Sequence, residues 1–215
     1  MVHSNEVLRA HYSFGRSGHA HSVRELFIAR VDNAAETADT IPNLTDADIS
    51  HIAAQVLTVR DGRNVGSEAL SLSALTDVLY ENDTYVANTD RGIHLNGVLG
   101  YCIMDKSAVE GVIRVEEGAV RAIGPWGSSL NERSHMRVMA GMFRPLLEDY
   151  APVPGDPASL AGVEFFVTSP YPGEHAETNM AQLGLQRVEF GFQGDAGQVY
   201  SAIGTTGLHH IRPKP

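Results

Sequence analysis

Between Gly124 and His135 the chain gathers residue types that bind anions and move protons. The run Gly124-Pro125-Trp126-Gly127-Ser128-Ser129-Leu130-Asn131-Glu132-Arg133-Ser134-His135 leads from an apolar segment into a helical pattern. The first amides of a helix lack partners within the helix and carry the positive end of its dipole, so a phosphate or carboxylate can settle there. Leu130, Asn131 and Glu132 would offer those amides, and Ser128, Ser129 and Arg133 would add side-chain donors. Glu132 argues the other way, because with Ser129 it forms a capping box that satisfies the helix by itself and sets a carboxylate against any anion. An ordinary capped helix is therefore the competing reading. His135 stands one turn into the helix, and Glu116 and Glu117 lie in the turn before the preceding strand. Each could exchange a proton with a reacting group held within hydrogen-bond reach, and each is otherwise a surface residue. Trp126, the sole tryptophan, follows a strand end, where the mouths of α/β sites lie. Packing at the core or its rim is its alternative role.

Other reactive side chains form weaker patterns. His3, His11, His19 and His21 crowd the N-terminal stretch, and His209-His210 lie near the end. A metal needs three or four converging ligands on a rigid shell, and no carboxylate or cysteine accompanies these imidazoles at such spacing, so they read as a solvated arm. Cys102 lies within Val98-Leu99-Gly100-Tyr101-Cys102-Ile103-Met104 and reads as a buried small hydrophobe, with a catalytic thiol as the alternative. The chain contains no G-x-S-x-G, no Walker A loop and no H-E-x-x-H, which removes the commonest hydrolase, NTPase and metalloprotease signatures. Gly15-Arg16-Ser17-Gly18 lacks the strand-to-helix setting of a phosphate loop.

The elements that would position these residues follow from periodicity. Residues 1–22 read as an N-terminal arm and 23–215 as one domain. Arg24–Val31 is the first strand. A helix follows from about Thr45, with Asp48 completing a capping box, Leu44 and Ile49 at staple spacing, and an apolar stripe through Ile52, Ala53, Val56 and Leu57. A second helix covers 73–81. Four short β-rich runs come next, at 84–88, 98–104, 112–115 and 119–123. Glu116-Glu117-Gly118 reads as a tight hairpin turn between the last two. A long helix starts near Ser129, with Met139, Met142, Phe143, Leu146, Leu147 and Tyr150 on one face. Pro145 inside it is expected to kink it near Gly141. Then come a Pro-rich loop at 151–157, a strand at 163–168, a helix at 174–183 ended by Gly184, and a hairpin pairing 187–193 with 198–203 around Gly194-Asp195-Ala196-Gly197. This order predicts an α/β domain with a mixed, mostly antiparallel sheet flanked by helices.

The totals bound the class. The chain has 215 residues, enough for one well-cored domain, with 43% hydrophobic and 20% charged residues. A formal net charge of −10 disfavours binding to nucleic acid or anionic lipid. One cysteine permits no internal disulfide. No apolar run reaches the length of a membrane span, and Met1–Gly18 has no apolar core of a secretory signal, so a cytoplasmic location is expected.

Three segments resemble the GNAT superfamily of acyl-CoA-dependent N-acyltransferases. Thr84-Tyr85-Val86-Ala87 followed by Gly97-Val98-Leu99-Gly100-Tyr101 is similar to that family's paired "yvA…ivGy" strands. Ala119–Gly127 running into the helix from Ser129 looks like its central strand and cofactor helix. Glu174–Phe192, with Ala181-Gln182-Leu183-Gly184-Leu185-Gln186-Arg187-Val188, looks like its last helix and strand entry. The likeness spans roughly residues 24–204 and lies in element order. It departs where the family carries Arg/Gln-x-x-Gly-x-Gly/Ala, since no glycine follows Gly127 until the helix is under way, and where the family often has a tyrosine four residues before the helix-ending glycine, here Met180.

The resemblance implies an acyl-CoA-dependent N-acyltransferase acting on a small-molecule or peptide amine, with acetyl-CoA or another acyl-CoA as co-substrate. The strand end at Ile123, Gly124, Trp126 and Gly127 would hold the pantetheine arm, and Ser128 to Asn131 with Arg133 the pyrophosphate. Tyr171 or His135 would handle protons, with Glu116 as a further candidate base. Two other readings stay open: a non-catalytic GNAT-like ligand-binding or assembly domain, and an enzyme using the scaffold with a different donor. The C-terminal hairpin offers an edge for a homodimer.

Overall fold

The computed structural model describes residues 8–14, 24–31, 82–88, 98–104, 111–120, 132–168 and 176–211, with Ser50, Ala53, Ala54, Ser73 and Asp77 besides. Its strands are β1 (Leu8–Phe14), β2 (Arg24–Val31), β3 (Asp83–Asn88), β4 (Val98–Met104), β5 (Val112–Val120), β6 (Glu164–Thr168), β7 (Gln186–Val188), β8 (Gly191–Asp195) and β9 (His209–His210). The helices are α1 (Glu132–Tyr150), α2 (Ala176–Gln182) and α3 (Ala196–Ile203), with a short 3-10 turn over Pro157–Leu160. The nine strands form one sheet in the order β7-β8-β6-β5-β4-β3-β2-β1-β9. Only β5 and β6 run parallel among the paired strands. The chain is thus a mixed, mostly antiparallel α/β fold.

Alternation of side chains across the pleat assigns the faces. Tyr12 opposes Leu26, Ile28 opposes Ala87, and Arg30 opposes Tyr85, so these share one face. α1 packs on it: a Cβ at Gly141 would touch Leu26, Tyr12 and Ile28. Val138, Met142, Phe143, Leu146 and Leu147 of α1 are fully buried in the core cluster, joined by Met180 of α2 and by Val199 and Ile203 of α3. Phe143 meets Phe165 of β6 edge-on, with ring centroids 5.2 Å apart. Burying each such side chain stabilises the fold by roughly 1.5–3 kcal/mol relative to exposure.

Several expectations hold. β2, β3, β4 and β6 fall where the β-rich runs are, and α1 carries the anticipated apolar face through Leu147 and is continuous through the buried Pro145, while Tyr150 at its end is exposed. Gly184 ends the segment after α2 with φ of +81°, a value glycine adopts without strain. Ser50, Ala53, Ala54, Ser73 and Asp77 are helical, and the rest of the two helices expected between 45 and 81 lies outside the described residues.

Three expectations are corrected. Leu8–Phe14 does not belong to a loose arm; it is β1, laddered to β2 on one side and β9 on the other. The predicted hairpin at Glu116-Glu117-Gly118 is absent, because 112–120 form the single strand β5. The β4 ladder holds that segment extended, with Glu117 opposite Ile103 and Gly118 opposite Cys102, and so overrides the local turn signal. Last, residues 198–203 are not a strand. Asp195 accepts from the Gln198 amide and caps α3, and Ala196, Val199, Tyr200 and Ile203 are buried at helical spacing. The hairpin at this end is β7–β8 instead, turning at Glu189-Phe190.

Candidate functional site

The parallel pair β6–β5, third and fourth from the β7 edge of the sheet, is laddered over only four residues of each strand among the described residues. Val112, Ile113, Arg114 and Val115 of β5 oppose Glu164, Phe165, Phe166 and Val167 of β6, and the ladder stops there. β6 stays with β8 through Thr168, while β5 stays with β4 through Val120. Beyond Val115, the β6-facing edge of β5 has no strand partner among the described residues. Open α/β sheets bind ligands in crevices outside the carboxyl ends of parallel strands, where neighbours diverge. β5 leads to the start of α1, which then returns the chain to β6.

A bulge marks the point where the described β5–β6 ladder stops. Ile103 opposes Glu117, but the next residue, Met104, opposes Val115, so Glu116 is the extra residue of β5. Bulges sharpen the local twist and re-aim side chains. This one falls where the β5–β6 ladder ends. The backbone thus brings Glu116 to the split. Arg133 and His135 lie in the first turn of α1, which begins at Glu132. Ile123, Gly124, Trp126, Gly127, Ser128, Ser129, Leu130, Asn131 and Tyr171 lie outside the described residues.

The far end of α1 is fixed by a polar cluster. Arg30 donates to Asp149 Oδ2 at 2.8 Å and to Asp83 Oδ2 at 3.1 Å. Tyr85 donates to the same Asp149 oxygen at 2.8 Å, and Tyr150 to the same Asp83 oxygen at 2.6 Å. Burial, reinforced by the adjacent carboxylates, pushes both phenols well above their usual range, so both are donors at neutral pH. One residue before Asp149, Glu148 Oε1 accepts from Arg144 at 3.0 Å and from Tyr200 at 2.8 Å, which ties α3 to α1. The Arg144 guanidinium also lies 5.9 Å from the ring centre of the buried Tyr12. These groups escaped notice in the sequence, although a signal was present: Arg30 falls in phase with Leu26 and Ile28, a charge at a core position.

Two further observations bear on ligand class. Among the described residues no cluster of three or more His, Cys, Asp or Glu could hold a metal ion. No helix among them is long and apolar enough to cross a membrane.

No protein-family model matches the chain, and no curated protein matches it. Among solved structures, it is similar to an acetyltransferase of the GNAT family from Bacillus anthracis, with 9% identity, over 78% of this chain and 90% of that one, at a TM-score of 0.42. Superposition at that level leaves the function to be argued from the chain's own geometry.

Proposed function

We propose that the chain is an N-acyltransferase that takes its acyl group from an acyl-coenzyme A and works at the mouth where β5 and β6 part. The observation that carries this is the bulge at Glu116, which falls where the β5–β6 ladder stops and where the edge of β5 has no strand partner among the described residues. A strand edge without a partner presents amides and carbonyls ready to pair with an extended chain. A pantetheine arm is such a chain, with two amides of its own, and it fits that edge in kind. The thioester supplies an activated acyl carbon, so attack by an amine forms an amide and releases a thiol, with one proton leaving nitrogen and one reaching sulfur.

The chain's own residues then have separate tasks. Glu116, at the bulge, is the candidate to take the amine proton. His135 or Tyr171 would return one to sulfur. The segment from Ile123 through Asn131, with Arg133, would hold the pyrophosphate beside the start of α1, and Glu132 limits how tightly it does so. The acceptor is a small-molecule or peptide amine. The different-donor and non-catalytic readings would share the scaffold and lack this affinity.

Calorimetric titration with acetyl-CoA tests the reading. Saturable binding to the parent, lost in Ser129→Glu, supports a cofactor seated at the start of α1. Absence of binding at millimolar ligand, which corresponds to an affinity weaker than about −4 kcal/mol, would overturn it.

A further inference from the structure

A second hollow lies at the opposite end of β6, away from the split. It is a groove of about 550 Å3 floored by β6, β7 and β8, with Glu164, Gln186, Gln193, Asp195 and Gln198 among its walls. Gln186 and Gln193 are directly opposed across β7 and β8, and so are Glu164 and Asp195 across β6 and β8. The floor is bare backbone in places. A Cβ at Gly194 would lie 2.7 Å from the Gly184 carbonyl oxygen, so the two segments approach as only glycine allows.

The charges in this groove are unbalanced. Like charges directly opposite on neighbouring strands are unfavourable, yet Glu164 and Asp195 occupy such a pair. Asp195 has a local reason to be there: its carboxylate accepts the Gln198 amide at 2.9 Å and the Gly162 amide at 2.7 Å. Glu164 has no such reason. Its Oε2 accepts from Gln193 Nε2 at 2.8 Å, which aims the carboxylate without neutralising it. Among the described residues no basic side chain lines the groove. Among the described residues no Lys, Arg or His forms an ion pair with either carboxylate.

We propose that this groove binds a primary ammonium group, held by Glu164 with Asp195 beside it and by the amide oxygens of Gln186 and Gln193. The ammonium has three donors and no acceptor, and the groove offers carboxylate, amide and backbone oxygens with no basic side chain among its described lining residues. A bound cation also relieves the opposed carboxylates. The site stands on different residues from the acyl-transfer mouth and does not depend on that reading.

Three probes of nearly equal size separate the alternatives: 2-aminoethanol, ethylene glycol and glycolate, each titrated into the isotopically labelled full chain and followed by amide NMR. The amine should shift the signals of Gly162, Glu164, Gln193 and Gly194 saturably, and added salt should weaken the effect. Glu164→Gln keeps an acceptor for Gln193 and should weaken amine binding at least tenfold with the other signals in place. Gln186→Glu, on the exposed rim, should tighten it. Equal shifts with ethylene glycol would mark a neutral polyol groove and overturn the proposal. So would binding of glycolate, silence toward all three probes, or an affinity indifferent to both substitutions.

Discussion

Gly141 of α1 stands so close to Leu26 of β2 that a Cβ added there would lie 2.7 Å from Leu26 Cδ2. Tyr12 and Ile28 would be 3.7 and 3.8 Å away, and all three neighbours are fully buried. The glycine thus lets the helix settle onto the sheet. Alanine would gain about 1 kcal/mol of helix propensity and lose about 1–3 kcal/mol to overpacking in a core that cannot open locally. Gly141→Ala should therefore be destabilised by about 1 kcal/mol in urea unfolding, and Leu26→Val in the same chain should recover part of that loss. A more stable Gly141→Ala would mean that Leu26 rotates aside freely.

Asp195 ends β8, caps α3 and holds the Gly162 amide, so one carboxylate joins three segments. Replacing it with alanine leaves two amides without their acceptor. Loss of a cap alone costs about 0.5–2 kcal/mol, and Asp195→Ala should fall at the upper end of that range. Asp195→Asn keeps one acceptor oxygen and should cost less than half as much. Equal losses for the two, measured by urea unfolding, would show that charge rather than capping matters here.

Arg30 is the shared donor to Asp83 and Asp149, and Asp83 is only 3% exposed. Removing one partner of a buried ion pair costs about 3–5 kcal/mol, because the other charge stays buried. Arg30→Ala should lose that much. Arg30→Lys should lose an intermediate amount, since an ammonium cannot fork to two carboxylates as a guanidinium does. Pairing Arg30→Ala with Asp83→Asn should recover stability relative to Arg30→Ala alone. A double variant as unstable as the sum of the singles would assign the cost to lost packing.

The sequence reading succeeds where pattern and tertiary setting agree. Leu26, Phe27 and Ile28 form a short apolar, β-rich run, and Phe143, Leu146 and Leu147 repeat at helical spacing, so β2 and α1 are legible. Glu116-Glu117-Gly118 carries a turn signal, but a ladder to Ile103 and Cys102 holds it straight. Val199 and Tyr200 are good strand formers, but the Asp195 cap and the buried spacing through Ile203 make α3. Glu116 is legible as a titratable side chain. Its position at the split is not, because where the β5–β6 ladder stops depends on partners fifty residues away. Arg30 is the opposite case: its phase with Leu26 and Ile28 signals a buried charge, while its partners Asp83 and Asp149 emerge only when β3 and the end of α1 meet.

Tyr200 makes the coupling of α3 to α1 dependent on pH. Burial, followed by the hydrogen bond to Glu148, pushes its phenol from 10.0 up to about 12. In the unfolded chain the phenol ionises near 10.0, so between these values the native state holds a proton that the unfolded state has released. Stability then falls as pH rises. Its contribution is complete below pH 10, and the loss runs across the window from 10 to about 12. Tyr200→Phe removes this titration. Its urea midpoint should be lower than the parent's at neutral pH, where the bond to Glu148 is lost, and the gap should narrow as pH climbs through that window. Tyrosinate absorbance should show one phenol fewer titrating there in the variant. A gap constant from pH 8 to 12 would mean that Tyr200 ionises alike in both states, with the Glu148 bond too weak to hold its proton.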